Sequence, residues 1–175
     1  MVVADMKQSI KVAFCGIIAA LISVFMIASF IPNLTFAVPA LAGLLLIPVF
    51  AEVGAVYALL CFFASAVLSF FVGDKASWVL YVALFGYYPV LKPYMEKIKE
   101  PALKWVLKLL LFNIAAALCY AVEILLFSVT LKGYMLALAF VIGNVAFVLY
   151  DIAVSRVAAV YYFKLHGRIS KILKK

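Results

Sequence analysis

The sequence predicts an all-α, polytopic membrane protein, a bundle of six transmembrane helices with both termini cytoplasmic. Three observations carry that prediction. Of the 175 residues 70% are apolar and only 13% are charged, whereas a soluble domain has roughly 45–50% apolar and about 25% charged residues. The apolar residues form runs near the roughly 20 residues that one membrane-spanning helix needs. The 15 Lys and Arg collect at the ends of those runs that six spans would place on one side, as the positive-inside rule requires.

The first span is Val12–Phe30, behind Lys7 and Lys11, and stops at Ile31-Pro32-Asn33. It is too long for the apolar core of a signal peptide, about 7–15 residues, so it is read as a retained span. The second, Ala37–Ala51, is short and carries Pro39 and Pro48; Glu52-Val53-Gly54 then turns the chain into the third, Gly54–Val72. As one helix, residues 37–72 would be about 54 Å long against a hydrocarbon core of about 30 Å, so two spans and a tight turn fit better. After the break at Gly73-Asp74-Lys75 comes the fourth span, Ser77–Leu91. Pro89 lacks an amide hydrogen and predicts a kink or an end near Tyr87-Tyr88. A proline-bracketed polar stretch, Lys92–Pro101, leads to the fifth span, Ala102–Leu131; Lys132-Gly133 breaks it, and the sixth is Tyr134–Phe163, followed by a basic tail. The whole chain, 1–175, reads as one integral membrane domain. Every Lys and Arg except Lys75 and Lys132 then falls at or near the cytoplasmic side.

Other function classes are disfavoured. The net charge of +8 sits on span flanks and not on a polar face with interleaved aromatics, so nucleic acid is not the expected partner. Cys15, Cys61 and Cys119 lie inside apolar runs without paired spacing and read as small buried hydrophobes. A single histidine, His166, offers no conventional zinc site. Glu52, Glu123 and Asp151 fall on different spans at different depths, with no acid–base pair for hydrolysis. No enzyme activity, cofactor or metal is expected.

Glu123 stands out, because an ionisable group inside a span is costly unless it faces protein or water. On the fifth helix Asn113, Ala116, Tyr120, Glu123 and Phe127 recur at three- and four-residue spacing and share one face. A polar and aromatic stripe of this kind suits a ligand pocket. Asn144 on the sixth helix falls near mid-span and could reach the same cavity. Asp151, further along, is expected to pair with Lys108 or Arg156. Trp78 and Tyr81, with Tyr87 and Tyr88, fit interfacial aromatics; Trp78 and Tyr81 could instead roof the pocket. On the first helix Cys15, Ala19 and Ser23 repeat every four residues beside Gly16 and Ala20, which permits close helix approach. That stripe serves either packing inside the bundle or docking of a partner membrane protein.

Taken together, the chain resembles the substrate-binding S component of an energy-coupling factor (ECF) vitamin transporter. The resemblance rests on six spans with both ends inside and on the small-residue first helix Cys15-x-x-x-Ala19-x-x-x-Ser23. It rests also on the proline-bearing second span Pro39-Ala-Leu-Ala-Gly-Leu-Leu-Leu-Ile-Pro48, joined by Glu52-Val-Gly54 to a third span closing at Phe71-Val-Gly-Asp74. It implies capture of a vitamin-like small molecule on the outer side of the plasma membrane, in a pocket built by the last three spans. It further implies a membrane coupling subunit and two ATPase subunits that carry the hydrolysis; this chain has no glycine-rich Lys-Ser/Thr phosphate loop. The alternative is a non-transporting scaffold of the MreD type without ligand.

Overall fold

The computed structural model describes residues 7–32, 34–127, 133–167 and 169; within them Glu123, Leu126 and Phe127 are described by backbone alone. The described residues are mostly helical, with no strand among them. Helix α1 (Gln8–Ile27) ends in a 3₁₀ turn at Ala28–Phe30. Helices α2 (Ala37–Leu44) and α3 (Leu46–Val53) meet at a bend at Leu45, whose amide bonds Ala42 O at 3.2 Å. The bend has a local cause: Pro48 has no N–H to offer the carbonyl four residues back. Gly54, at φ +99°, ends α3 and starts α4 (Ala55–Val72); glycine adopts this backbone at no steric cost. The expected turn at Glu52-Val53-Gly54 is thus present.

After the break at Gly73, Asp74 caps α5 (Lys75–Leu80) by accepting the Ser77 amide at 3.2 Å. The helix loosens into a π-turn at Tyr81–Phe85 and resumes as α6 (Tyr88–Met95). Pro89 explains the interruption, since it leaves the Phe85 carbonyl without its helical donor. That carbonyl accepts instead from the Tyr150 hydroxyl at 3.0 Å. Gly43 makes room for the exchange, because a Cβ there would lie 2.3 Å from Phe85 O and 2.7 Å from the Tyr150 hydroxyl. Two long helices complete the chain, α7 (Pro101–Phe127) and α8 (Gly133–Val160), the latter running on as a π-turn at Tyr161–Leu165.

Helices α1 and α4 run side by side in the same direction. Lys11 lies over the Tyr57 ring near the start of both, and Met26 packs beside the position where a Gly73 Cβ would stand at their far end. Ile18, Ile22 and Met26 of α1 interlock with Ala58, Cys61, Phe62 and Ala66 of α4 in the larger of the cores. A second core joins Ile47 of α3 and Tyr88 of α6 to Phe112 of α7 and to Phe147, Tyr150 and Val154 of α8. One end of the bundle gathers Lys11, Glu52, Lys92, Lys108 and His166; the other holds Ser29 and Asp74.

Among the described residues four helices are long and apolar enough to cross a membrane: Gln8–Phe30, Ala55–Val72, Pro101–Val122 and Gly133–Leu165. The bent Ala37–Val53 is shorter, and Lys75–Met95 is divided by its π-turn. The outward surface is apolar, with Phe71, Leu125 and Phe163 largely bare. A water-soluble fold would bury such side chains, so the surface is compatible with a membrane protein. The expected end of the fifth span, Ser128–Leu131, lies outside the described residues.

Candidate functional site

Two cavities lie against the second core, one at each end. The one away from the basic end has a volume of about 670 Å³. Its walls come from Phe36 and Ala40 of the α2 region, Leu80 and Leu84 of α5 and its π-turn, Ala116 and Tyr120 of α7, and Ala139 and Gly143 of α8. Its floor is aromatic: Phe112 and Phe147 stack with centroids 4.7 Å apart, and Phe85 meets Tyr150 edge-on at 4.8 Å. The lining is predominantly apolar, and the volume falls within the roughly 300–1,000 Å³ of small-molecule pockets.

Of the residues singled out from sequence, Tyr120 lines this cavity, on the same α7 face as Ala116, as the helical spacing predicts. Glu123 follows one turn later, but its side chain lies outside the described residues. Asn144 bonds Asn113 of α7 reciprocally, at 3.0 Å and 3.1 Å, and its amide also donates to Phe140 O at 2.8 Å. One amide hydrogen thus helps hold α8 to α7, and the other bonds back within α8. Trp78 and Tyr81 turn toward α4 and away from the cavity. The Trp78 indole donates to Ala66 O at 2.8 Å and its ring meets Phe70, while the Tyr81 hydroxyl pairs with Ser65 Oγ at 2.7 Å, fully buried.

The small-residue stripe divides between two faces. Ala19 and Ser23 are buried on the α4 side, with Ser23 Oγ donating to Ala19 O at 2.9 Å. Cys15 donates to Tyr57 O at 3.7 Å and accepts from Cys61 at its carbonyl at 3.4 Å. These three build the α1–α4 seam, whereas Gly16 and Ala20 face outward.

The basic end holds a buried charge cluster that the sequence reading found only in part. Asp151 receives Lys92 at 2.5 Å, Lys108 at 3.0 Å and 3.1 Å, and the Tyr88 hydroxyl. Lys92 also donates to the Asp151 carbonyl. The expected pairing of Asp151 with Lys108 is present; the contributions of Lys92 and Tyr88 were missed. Lys108 bonds Glu96 as well, at 2.5 Å, and Lys104 meets Glu96 at 3.1 Å. The Lys108 ammonium, ahead of Lys104, holds the Glu96 carboxyl below the usual carboxylate range against the opposing effect of burial. Tyr88 couples the two ends, because its ring packs edge-on against Phe147 of the cavity floor at 5.0 Å while its hydroxyl serves Asp151. Close by, Glu52 at the α3–α4 turn accepts from Tyr161 at 2.6 Å and lies 2.8 Å from His166 Nδ1, tying the end of the last helix to that turn. Among the described residues no group of three or more His, Cys, Asp and Glu is placed to hold a metal ion.

Comparison of the chain with protein-family models, with curated proteins and with solved structures finds no match.

Proposed function

We propose that this chain is the membrane-embedded substrate-binding subunit of an ECF-type importer, capturing a vitamin-like small molecule from the outer side of the plasma membrane. The observation that carries the reading is the 670 Å³ aromatic-floored cavity at the end opposite the lysine cluster. With the basic end cytoplasmic, that cavity faces outward. In this topology the bent Ala37–Val53 and the interrupted Lys75–Met95 complete a set of six spans, and both termini are cytoplasmic. The apolar walls favour a ligand with a flat or apolar body, contacted by Tyr120. Glu123, one turn further out, would add a charge-assisted bond to a donor-bearing ligand group.

The chain itself is not an enzyme in this reading. A membrane coupling subunit and two ATPase subunits supply the energy, and no cofactor or metal is required. The partner's docking face on α1 is the outward strip containing Gly16 and Ala20, since Cys15, Ala19 and Ser23 are engaged with α4. Small residues there allow close helix contact. Release toward the cytoplasm requires the Phe112–Phe147 floor and its Tyr88 support to move.

A second reading, an MreD-like scaffold without ligand, draws support from Trp78, Tyr81 and Asn144, whose polar atoms are satisfied within the chain. Purification from the native membrane, followed by denaturation and mass spectrometry of the released small molecules, separates the two. The binding subunit yields one enriched molecule of cavity size; the scaffold yields only bulk phospholipid.

A further inference from the structure

The second cavity, about 530 Å³, opens at the basic end between α3, α6 and α8. Lys92, Lys97, Tyr94, Ser155 and Tyr162 line it together with apolar Phe50. Its electrostatics are unbalanced. Among the described residues Lys92, Lys104 and Lys108 share the two carboxylates Asp151 and Glu96, and Lys97 lines the same pocket without a carboxylate of its own among the ion pairs. Lys92 and Lys108 are 5% and 1% exposed; of the two carboxylates buried as deeply, Asp151 meets both lysines, whereas Glu52 is taken up by Tyr161 and His166. Glu96 also lines the pocket, but Lys108 and Lys104 already occupy it. Lys92 spends two donors on Asp151, one on its side chain and one on its carbonyl, which leaves a third N–H for the pocket. Lys97 stands at the rim, 5.0 Å from the Tyr94 ring centroid.

Lysines that outnumber the carboxylates around a pocket make it attractive to an anion. A basic pocket between helices, with apolar walls below and a polar rim above, fits an anionic lipid headgroup. We propose that this cavity binds the phosphate of an anionic phospholipid of the inner leaflet, with Lys92 and Lys97 as its cations. The acyl chains would leave over Phe50 and its apolar neighbours. The proposal is independent of what the outer cavity binds.

Native mass spectrometry of the purified full chain, offered an equimolar mixture of phosphatidylglycerol and phosphatidylcholine, tests it. Phosphatidylglycerol should be retained in clear preference. Lys97→Gln, at an exposed position, should weaken that preference about fivefold, the equivalent of the ~1 kcal/mol one lysine contributes near an anionic surface. Lys97→Glu should weaken it further, and Lys92→Gln should abolish it; if Lys92→Gln does not fold, the Lys97 pair decides. Equal retention of the two lipids, or unchanged preference in Lys97→Glu, overturns the proposal. Inorganic phosphate that displaces phosphatidylglycerol at millimolar concentration overturns the lipid assignment in favour of a free anion.

Discussion

Asp151→Asn keeps the shape of the side chain at the centre of the charge cluster and removes its charge. The parent carboxylate accepts from Lys92 at 2.5 Å and from Lys108 at 3.0 Å and 3.1 Å, and it takes the Tyr88 hydroxyl as well. Without it Lys108 retains Glu96, at 2.5 Å, while Lys92 is left with neutral oxygens and no anion. Removing one partner of a buried ion pair costs about 3–5 kcal/mol, because the other charge stays buried and uncompensated. At roughly 2–4 °C per kcal/mol for a chain of this size, the melting temperature should fall by about 6–20 °C. Lys92→Met and Lys108→Met should each cost less, since Asp151 keeps the other lysine and Tyr88. Fluorescence-detected melting of the detergent-purified variants, all in one detergent, gives the order. An Asp151→Asn protein that melts with the parent, or either lysine variant melting below it, would refute the reasoning.

Gly43→Ala would place a methyl 2.3 Å from the Phe85 carbonyl oxygen; a cost of about 1–3 kcal/mol, typical of overpacking, should appear in the same melting assay. Glu96 gives a signed pH dependence. Its folded-state pKa is depressed, chiefly by Lys108, so its contribution is full above the ordinary value of 4.5 and is lost as pH falls through the lower folded value. The effect is small because the side chain is 41% exposed and salt-screened, and Glu96→Gln should remove that part of the acid dependence. Topology is checked with single cysteines at Asp74 and Lys97 after replacement of Cys15, Cys61 and Cys119. An impermeant thiol reagent added to intact cells should modify position 74 and spare 97; the reverse pattern inverts the orientation.

Much of the helix layout was legible because its causes are local. Gly54 and Pro89 act on their own backbone, and the expected turn and interruption fall where they do; the bend at Leu45 and the Asp74 cap have equally local causes but were not read from the sequence. Asp151–Lys108 was legible because a charge inside an apolar run needs a partner. Lys92 was not, since it opens the polar stretch and reads as part of a linker until the fold carries it inward. Composition gives a residue's position along a span but not which neighbour its face meets. Tyr81 and Tyr88, at depths suited to an interfacial belt, are 0% and 1% exposed in the two cores. The same gap separates Ala19 and Ser23 from Gly16 and Ala20, because small residues suit contact with α4 and with a partner equally well. The 670 Å³ cavity depends on how α2, α5, α7 and α8 meet around it, which leaves no periodic trace in the sequence.

The central claim, an occupied ligand cavity at the end away from the lysines, is tested most directly by filling it. Ala139 lines that cavity from an exposed position on α8, so Ala139→Trp should occupy it without disturbing either core. The measurement is the amount of small molecule released per chain from parent and variant, purified identically from the native membrane. The account predicts one molecule near equimolar with the parent chain and its loss from a folded Ala139→Trp protein. Equal amounts of that molecule on both chains, or nothing but bulk phospholipid on the parent, would contradict it.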